Sequence, residues 1–417
     1  MSRSASPVAT GTPLAGAAAA VGHGLLAALP LAMWAATRSA PLFLGLAALA
    51  FLVAGLTRGG VGGLWRGVAP LLRAPIGVLL LGFALWALVS TGWSHRPAAG
   101  LRMWGEFVLP LLAGLTIVAS GAFHPSRRFM RVLAVTVILA SCLLYYEFAT
   151  EFALRKWLAL DRRQESFYFN RAALTCLVLA VPVIDRLWRE GARRDRVLAC
   201  LLGLVVATLV FASDSEAAKL GLVVMVVAGI VFAAAPRLML AATAAAFLAT
   251  MALAPAIGPT LEAQLPASLR SHLQPSHEVR IDIWETFGEA AMLRPLRGYG
   301  FNAAATLDQD PVAQTISPPR RAMLAIGHPH SAPLQAWVDT GLVGAALLSA
   351  AGLLLLARLR RLQPPRSAMP AAFFAGCFAI VVVAHGAWQG WWIAVLTLAA
   401  LLFAAAPIDM RNLEDRT

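Results

Sequence analysis

Apolar runs long enough to cross a bilayer recur along the whole of this chain, and they constrain its fold more than any other feature. They lie at about 16–36, 41–56, 75–92, 104–120, 130–149, 170–188, 197–212, 216–234, 237–255, 331–357, 369–386 and 390–406. Crossing the hydrocarbon core takes roughly 20 apolar residues per helix. Lipid offers no water to an unpaired N–H or C=O, so each run must be a helix that bonds internally. Charged residues make up only 13% of the 417 residues, whereas soluble domains carry about 25%. The fold class that follows is an all-α polytopic membrane protein with about 12 transmembrane helices and one large polar loop. In chain order, residues 1–255 form a bundle of about nine helices, 256–330 the loop, 331–406 helices ten to twelve, and 407–417 a tail. The first run follows a lone Arg3, is long, and has no cleavage site after it, so it reads as a retained signal anchor.

Charge orients the helices. With both termini cytoplasmic, the short inner loops hold Arg58, Arg66 and Arg73, then Arg127, Arg128 and Arg131, then the cluster from Arg186 to Arg196, and later Arg358, Arg360, Arg361 and Arg366. The outer short loops are poor in charge, as the positive-inside rule requires. Of 34 Lys and Arg, 15 break this rule and fall on the outer side. Among them are Arg155, Arg163 and Arg171 between the fifth and sixth spans, Lys219 one turn into the eighth, and Arg280 in the long loop. Cations retained there against the orientation signal point to an anionic ligand, while some of them merely snorkel or solvate loops. The net charge of +13 is scattered over loops, which argues against nucleic acid. Cys142, Cys176, Cys200 and Cys377 lie inside apolar runs without metal or disulfide spacing. No His/carboxylate cluster suggests a metal, and no cofactor is implied.

The densest chemistry is in HPHSAPLQAWVDTGLVG, from His328 to Gly344. Two histidines stand at the mouth of an apolar helix, where an ionisable ring is costly and marks function by default. A plainer role for them is to shape a turn and start the helix. Upstream, Ser276 is a good N-cap for an amphipathic helix, on or near the membrane surface, whose stripe is Val279, Ile283, Phe287 and Ala290. Arg280 sits near the N-terminal end of that helix, where an anion is welcome. Pro295 and Gly298 end it, and Gly298-Tyr299-Gly300 forms a tight turn. Asp282, Glu278, Glu285 and Glu289 offer a rival set of carboxylate bases, though they suit a solvated face better. Trp388, Trp391 and Trp392 fit an interfacial aromatic belt or a platform for sugar rings.

These pieces stand in a set order: an outer cation on a middle span, R-x-x-x-W…P-L-x-G-x-G, and H-x-H-S-x-x-L-Q-x-W-x-x-x-G-x-x-G. In that order they resemble the O-antigen ligase and polymerase superfamily of bacterial inner-membrane glycosyltransferases. The matching residues are Arg280, Trp284, Pro295, Leu296, Gly298 and Gly300, then His328, His330, Ser331, Leu334, Gln335, Gly341 and Gly344. The H-x-H motif and the late position of the large loop are most similar to the O-antigen ligase. Departures are Ser331 where the family often has Asn, Asp339 where it has Glu, and Lys219 where it usually has Arg.

The resemblance implies a GT-C-like fold with the large loop periplasmic, in the inner membrane of a Gram-negative bacterium. It implies an inverting, metal-independent transfer of O-antigen from undecaprenyl pyrophosphate, the donor, to a sugar hydroxyl of lipid A–core, the acceptor. His330 would be the catalytic base. Arg280, Lys219, Arg163, Arg171 and Arg155 would hold the pyrophosphate, with a cation cluster keeping His330 neutral. His328, Ser331, Gln335 and Trp284 would support the site, and Trp388 and Trp391 would contact sugar. Alternatives within the superfamily are an O-antigen polymerase or a protein O-oligosaccharyltransferase. Outside it, a lipid-linked sugar transporter would need internal repeats and broken helices at the midplane, and the sequence shows no clear repeat.

Overall fold

The computed structural model describes residues 12–160, 165–264, 275–362, 364–384 and 386–405. Among these the chain is helical throughout, with no strand. Among the described residues eleven helices, rather than about twelve, are long and apolar enough to cross a membrane, and Gly390–Ala404 is apolar but shorter.

The chain divides into two compact units, which cut across the sequence-order partition at 255 and 330. The first unit runs to Leu72, takes up Leu109–Asp214, and resumes at Gly390. Its helices are α1 (Pro13–Ala35), α2 (Ala40–Arg73), the second half of α4 (Pro97–Ala119), α5 (Arg127–Ala149), α6 (Asn170–Glu190), α7 (Arg193–Ala212) and α13 (Gly390–Ala404). The second unit holds Arg73–Val108 and Ser215–Gln389. Its helices are α3 (Pro75–Ser90), α8 (Glu216–Ala234), α9 (Pro236–Gln264), α10 (Pro275–Leu293), α11 (Ala332–Arg360) and α12 (Pro364–Val383). Within it α8 packs along α12, α9 along α10, and α3 along α11.

Three boundaries differ from the sequence reading. The segment after the second apolar run is not a loop, because α2 continues to Arg73 across a break at Gly60, whose φ is 58°. The ninth run does not stop at 255 but continues through Pro255 and Pro259 to Gln264. A proline inside a helix frees the carbonyl four residues back. Here Pro255 frees Met251, and the Met251 carbonyl is claimed by the indole N–H of Trp337 at 2.7 Å. The helix therefore survives Pro255 because a neighbour supplies the missing donor. Finally, α10 starts at Pro275, so Ser276 lies in its first turn rather than at its cap.

The apolar side of α10 is not left open for a membrane surface. Ile283, Phe287, Ala290 and Ala291 are buried with Tyr299, Leu307, Leu334 and Val338 in one core. Of the stripe Val279, Ile283, Phe287 and Ala290, Val279 on the first turns remains exposed, as do Met292 and Leu293 at the far end of the helix. At about 25 cal/mol per Å² of apolar area removed from water, this core is what holds the segment from α10 to Leu324 on α11.

Candidate active site

The helix α11 is broken at Gly341, where φ is 64° and ψ is −166°. A break strands carbonyls and amides that lipid cannot satisfy. The segment 295–300 satisfies them. The N–H of Tyr299 donates to the carbonyl of Val338 at 2.8 Å, and that of Gly300 to Asp339 at 3.0 Å. In the other direction, Leu342 donates to Pro295 at 2.7 Å. The carbonyl of Thr340 accepts from the indole N–H of Trp86 at 2.9 Å. The glycine motif follows from this pairing. Gly298 has φ of 65°, and a Cβ there would stand 2.6 Å from the Val338 carbonyl oxygen. The turn 298–300 is a backbone splint for a broken helix and not a phosphate loop.

Asp339, one turn before the break's far side, is fully buried. One carboxylate oxygen accepts from the Ala304 N–H at 2.8 Å. The other accepts from the Trp388 indole at 2.8 Å and from the Gln335 amide at 3.2 Å. The Gln335 side-chain oxygen in turn accepts from the N–H of Ala387 at 2.8 Å. This network locks the first turns of α11 to the segments at 303–304 and 386–388. Asp339 was not among the sequence candidates. A lone carboxylate inside an apolar run was the available signal.

The histidine turn sits at the head of this assembly. His330 itself takes a left-handed conformation, with φ of 48°. A left-handed non-glycine residue is uncommon, although histidine adopts it more readily than most, and such conformations cluster at functional sites. Its N–H points to Nδ1 of His328 at 3.4 Å, and the two rings meet edge to face at 4.1 Å. From α10, the indole N–H of Trp284 donates to the carbonyl of Pro329, between the two histidines, at 2.9 Å. Arg280 is one turn earlier on the same helix, which explains the R-x-x-x-W spacing. Burial pushes the His330 pKa down to about 4, with smaller contributions from His328 and then Arg280, opposed by the carbonyl of Ala384. His328 is lowered as well, mainly by burial. The ring is thus neutral at pH 7, as expected, but dehydration rather than a cation cluster is the leading cause.

The other sequence candidates fall as follows. Ser331 is buried and precedes α11 without capping it through its side chain. Lys219 lies one turn into α8 and pairs with Glu216 at 2.9 Å. In the first unit, Arg155 is 2% exposed. Its guanidinium donates to the carbonyls of Trp34 and Ala35, and it lies over the Phe169 ring at 4.5 Å. Arg171 faces the ring of Trp391 at 5.9 Å. Arg163 lies outside the described residues. Trp388 and Trp391 are 5% and 3% exposed, so their rings are packed inside their own units rather than presented to a sugar. Trp388 packs on Phe83, Phe107 and Phe301. Of the rival carboxylates, Glu285 and Glu289 pair with Arg320 at 2.5 and 3.3 Å. The side chain of Glu278 lies outside the described residues.

Residues 198–349 match the family model described as O-antigen ligase. That region contains Lys219, Arg280, Trp284, His328, His330, Ser331 and Gln335. The chain is also similar to two proteins provisionally named polysaccharide ligase. One, from Rickettsia felis, is 24% identical over 335 residues, covering 77% of this chain and 79% of the relative. The other, from Rickettsia conorii, is 23% identical over 333 residues, covering 78% and 79%.

Proposed function

We propose that this membrane glycosyltransferase of the O-antigen ligase and polymerase superfamily transfers O-antigen from undecaprenyl pyrophosphate to a sugar hydroxyl of lipid A–core, completing lipopolysaccharide at the periplasmic face of the inner membrane. The observation that carries the reading is the fastening of the histidine turn to the Arg280 helix through Trp284 and Pro329. It puts a neutral acceptor of protons and a permanent cation under one structural control.

The pyrophosphate is already a good leaving group, so catalysis requires positive charge where negative charge develops. Arg280 supplies it, its planar fork matching phosphate oxygens. Lys219 adds a point charge once the anion competes with Glu216 for it. Arg171 belongs to the first unit, where it lies over the Trp391 ring, and Arg163 lies outside the described residues, so neither is assigned to this cation set, and the packing of Arg155 makes it a brace for its own unit. His330 receives the proton of the acceptor hydroxyl. A pKa of about 4 makes it a weak base, so the proton leaves the attacking oxygen late, after bond formation has made that oxygen acidic. A single displacement of this kind inverts the anomeric centre and needs no metal.

The test uses purified protein, lipid-linked O-antigen and lipid A–core, with a chelator present, and follows capped lipopolysaccharide on a gel. Wild type is expected to form product, and His330→Ala, at normal membrane levels, to form none. Lengthening of the donor or modification of a protein, without transfer to lipid A–core, would replace the acceptor by that of a polymerase or an oligosaccharyltransferase. Full activity in His330→Ala would overturn the base assignment.

A further inference from the structure

The first unit contains a cleft of 460 Å³ that none of the residues assigned above occupies. Phe148, Glu151, Phe152, Lys156, Ser166 and Asp214 line it, at the ends of α5, α6 and α7. Its rim is held in shape rather than left loose. Glu151 and Phe152 both take left-handed backbone conformations, with φ of 50° and 66°. The N–H of Phe152 donates to the Glu147 carbonyl at 2.8 Å, and the fully buried Glu147 carboxylate accepts from the N–H of Arg155 at 3.4 Å. Phe152 stacks on Phe169, with ring centroids 5.1 Å apart. Across the cleft the Ser166 hydroxyl donates to the Asp214 carboxylate. Glu151 and Lys156 are exposed, and among the described residues neither has an ion-pair partner.

The lining selects a chemistry. Among the described lining residues two carboxylates outnumber one ammonium, which disfavours a pyrophosphate here. A lipid chain would strip water from four polar side chains and return no hydrogen bonds. A pyranose meets both demands. Its C–H face lies on phenyl rings, and its hydroxyls donate to carboxylates and accept from the ammonium. The volume falls within the range of about 300–1,000 Å³ of small-molecule pockets, enough for a short saccharide. We propose that this cleft is a saccharide subsite, taking neutral pyranose rings of one of the two substrates. The inference rests on the reading above that both substrates are saccharides.

The test reads binding without turnover. Full-length protein in detergent is probed by saturation-transfer NMR with two ligands separately: core oligosaccharide cleaved from lipid A, and O-polysaccharide cleaved from its undecaprenyl carrier. Glu151→Gln combined with Asp214→Asn, and Lys156→Met alone, are the variants. All three positions are exposed, and circular dichroism checks the fold. One probe is expected to give signal on wild type that falls about 10-fold in the double variant, in line with the loss of two hydrogen bonds of about 1 kcal/mol or less each. In the transfer assay KM for that same substrate rises by a similar factor while kcat stays within about 2-fold. Whichever probe responds identifies the source of the sugar. Equal signal from wild type and variants, or no signal from either probe, overturns the proposal. If wild type transfers to lipid A–core while neither probe binds, the cleft fails and the function stands. If a probe binds and the variants lose it although nothing is transferred, the cleft stands and the transfer reading fails.

Discussion

The indole N–H of Trp284 reaches the carbonyl of Pro329 at 2.9 Å, joining the Arg280 helix to the turn that carries His328 and His330. Trp284→Phe keeps the ring and removes this one bond. A hydrogen bond of this kind contributes about 0.5–1.5 kcal/mol, so transfer should fall roughly 3- to 10-fold through kcat, with unchanged membrane levels. Wild-type kcat in Trp284→Phe would show that the turn is held without the indole.

The pH dependence follows from the burial of His330. Its pKa is about 4, against about 6.5 for an exposed ring. Transfer should therefore stay level as pH falls from about 7 to about 5, and drop only as the ring gains its proton near pH 4. An inflection near 6.5 would mean that the ring is solvated during turnover. Stability carries the same signature. Between the two pKa values the unfolded chain binds a proton that the folded one does not, so stability falls as pH falls through that window. His330→Gln should lessen the slope of Tm against pH there, leaving the part due to His328, which burial lowers in the same direction.

Asp339 offers three buried donors their only carboxylate. Asp339→Ala strands the N–H of Ala304 and the side chains of Gln335 and Trp388. Each stranded donor costs about 1–3 kcal/mol, so the variant should lose about 3 kcal/mol or more and melt several degrees lower. Tryptophan fluorescence during heating in detergent would read this directly. An unchanged Tm would mean that water replaces the carboxylate.

The splint predicts a contrast between two glycines. Gly298→Ala must accept φ of 65° and a clash with the Val338 carbonyl, costing at least about 2 kcal/mol. Gly59→Ala, on α2, meets nothing within 4 Å and should be neutral or slightly stabilising. Thermal unfolding of the pair separates a requirement for close backbone approach from a general preference for small residues.

Two arginines should also part company. Arg280→Met is expected to lower transfer by about 100-fold or more at unchanged Tm, the usual cost of removing a charge aimed at the transition state. Arg155→Met removes a buried guanidinium from the carbonyls of Trp34 and Ala35, so its loss of transfer should track a loss of Tm. Arg155→Met with wild-type Tm and no transfer would return that residue to the anion site.

What the sequence determined by itself was the solvent and its consequences. Apolar runs of fixed length, loops sorted by charge, and the ordered motif from Arg280 to Gly344 do not depend on how helices pack, so the spans and the histidine turn were legible at once. Chain connectivity carries no such information about neighbours. That Pro255 would be tolerated depends on Trp337, 82 residues later, supplying a donor. That Gly298 and Gly300 splint a helix depends on Gly341 being broken. The tryptophans at 388 and 391 look alike in sequence whether they line a surface or fill a core, and only packing placed their rings inside. The pKa of His330 was legible in direction, but its cause was not, because the water removed from a ring is counted from every element packed around it.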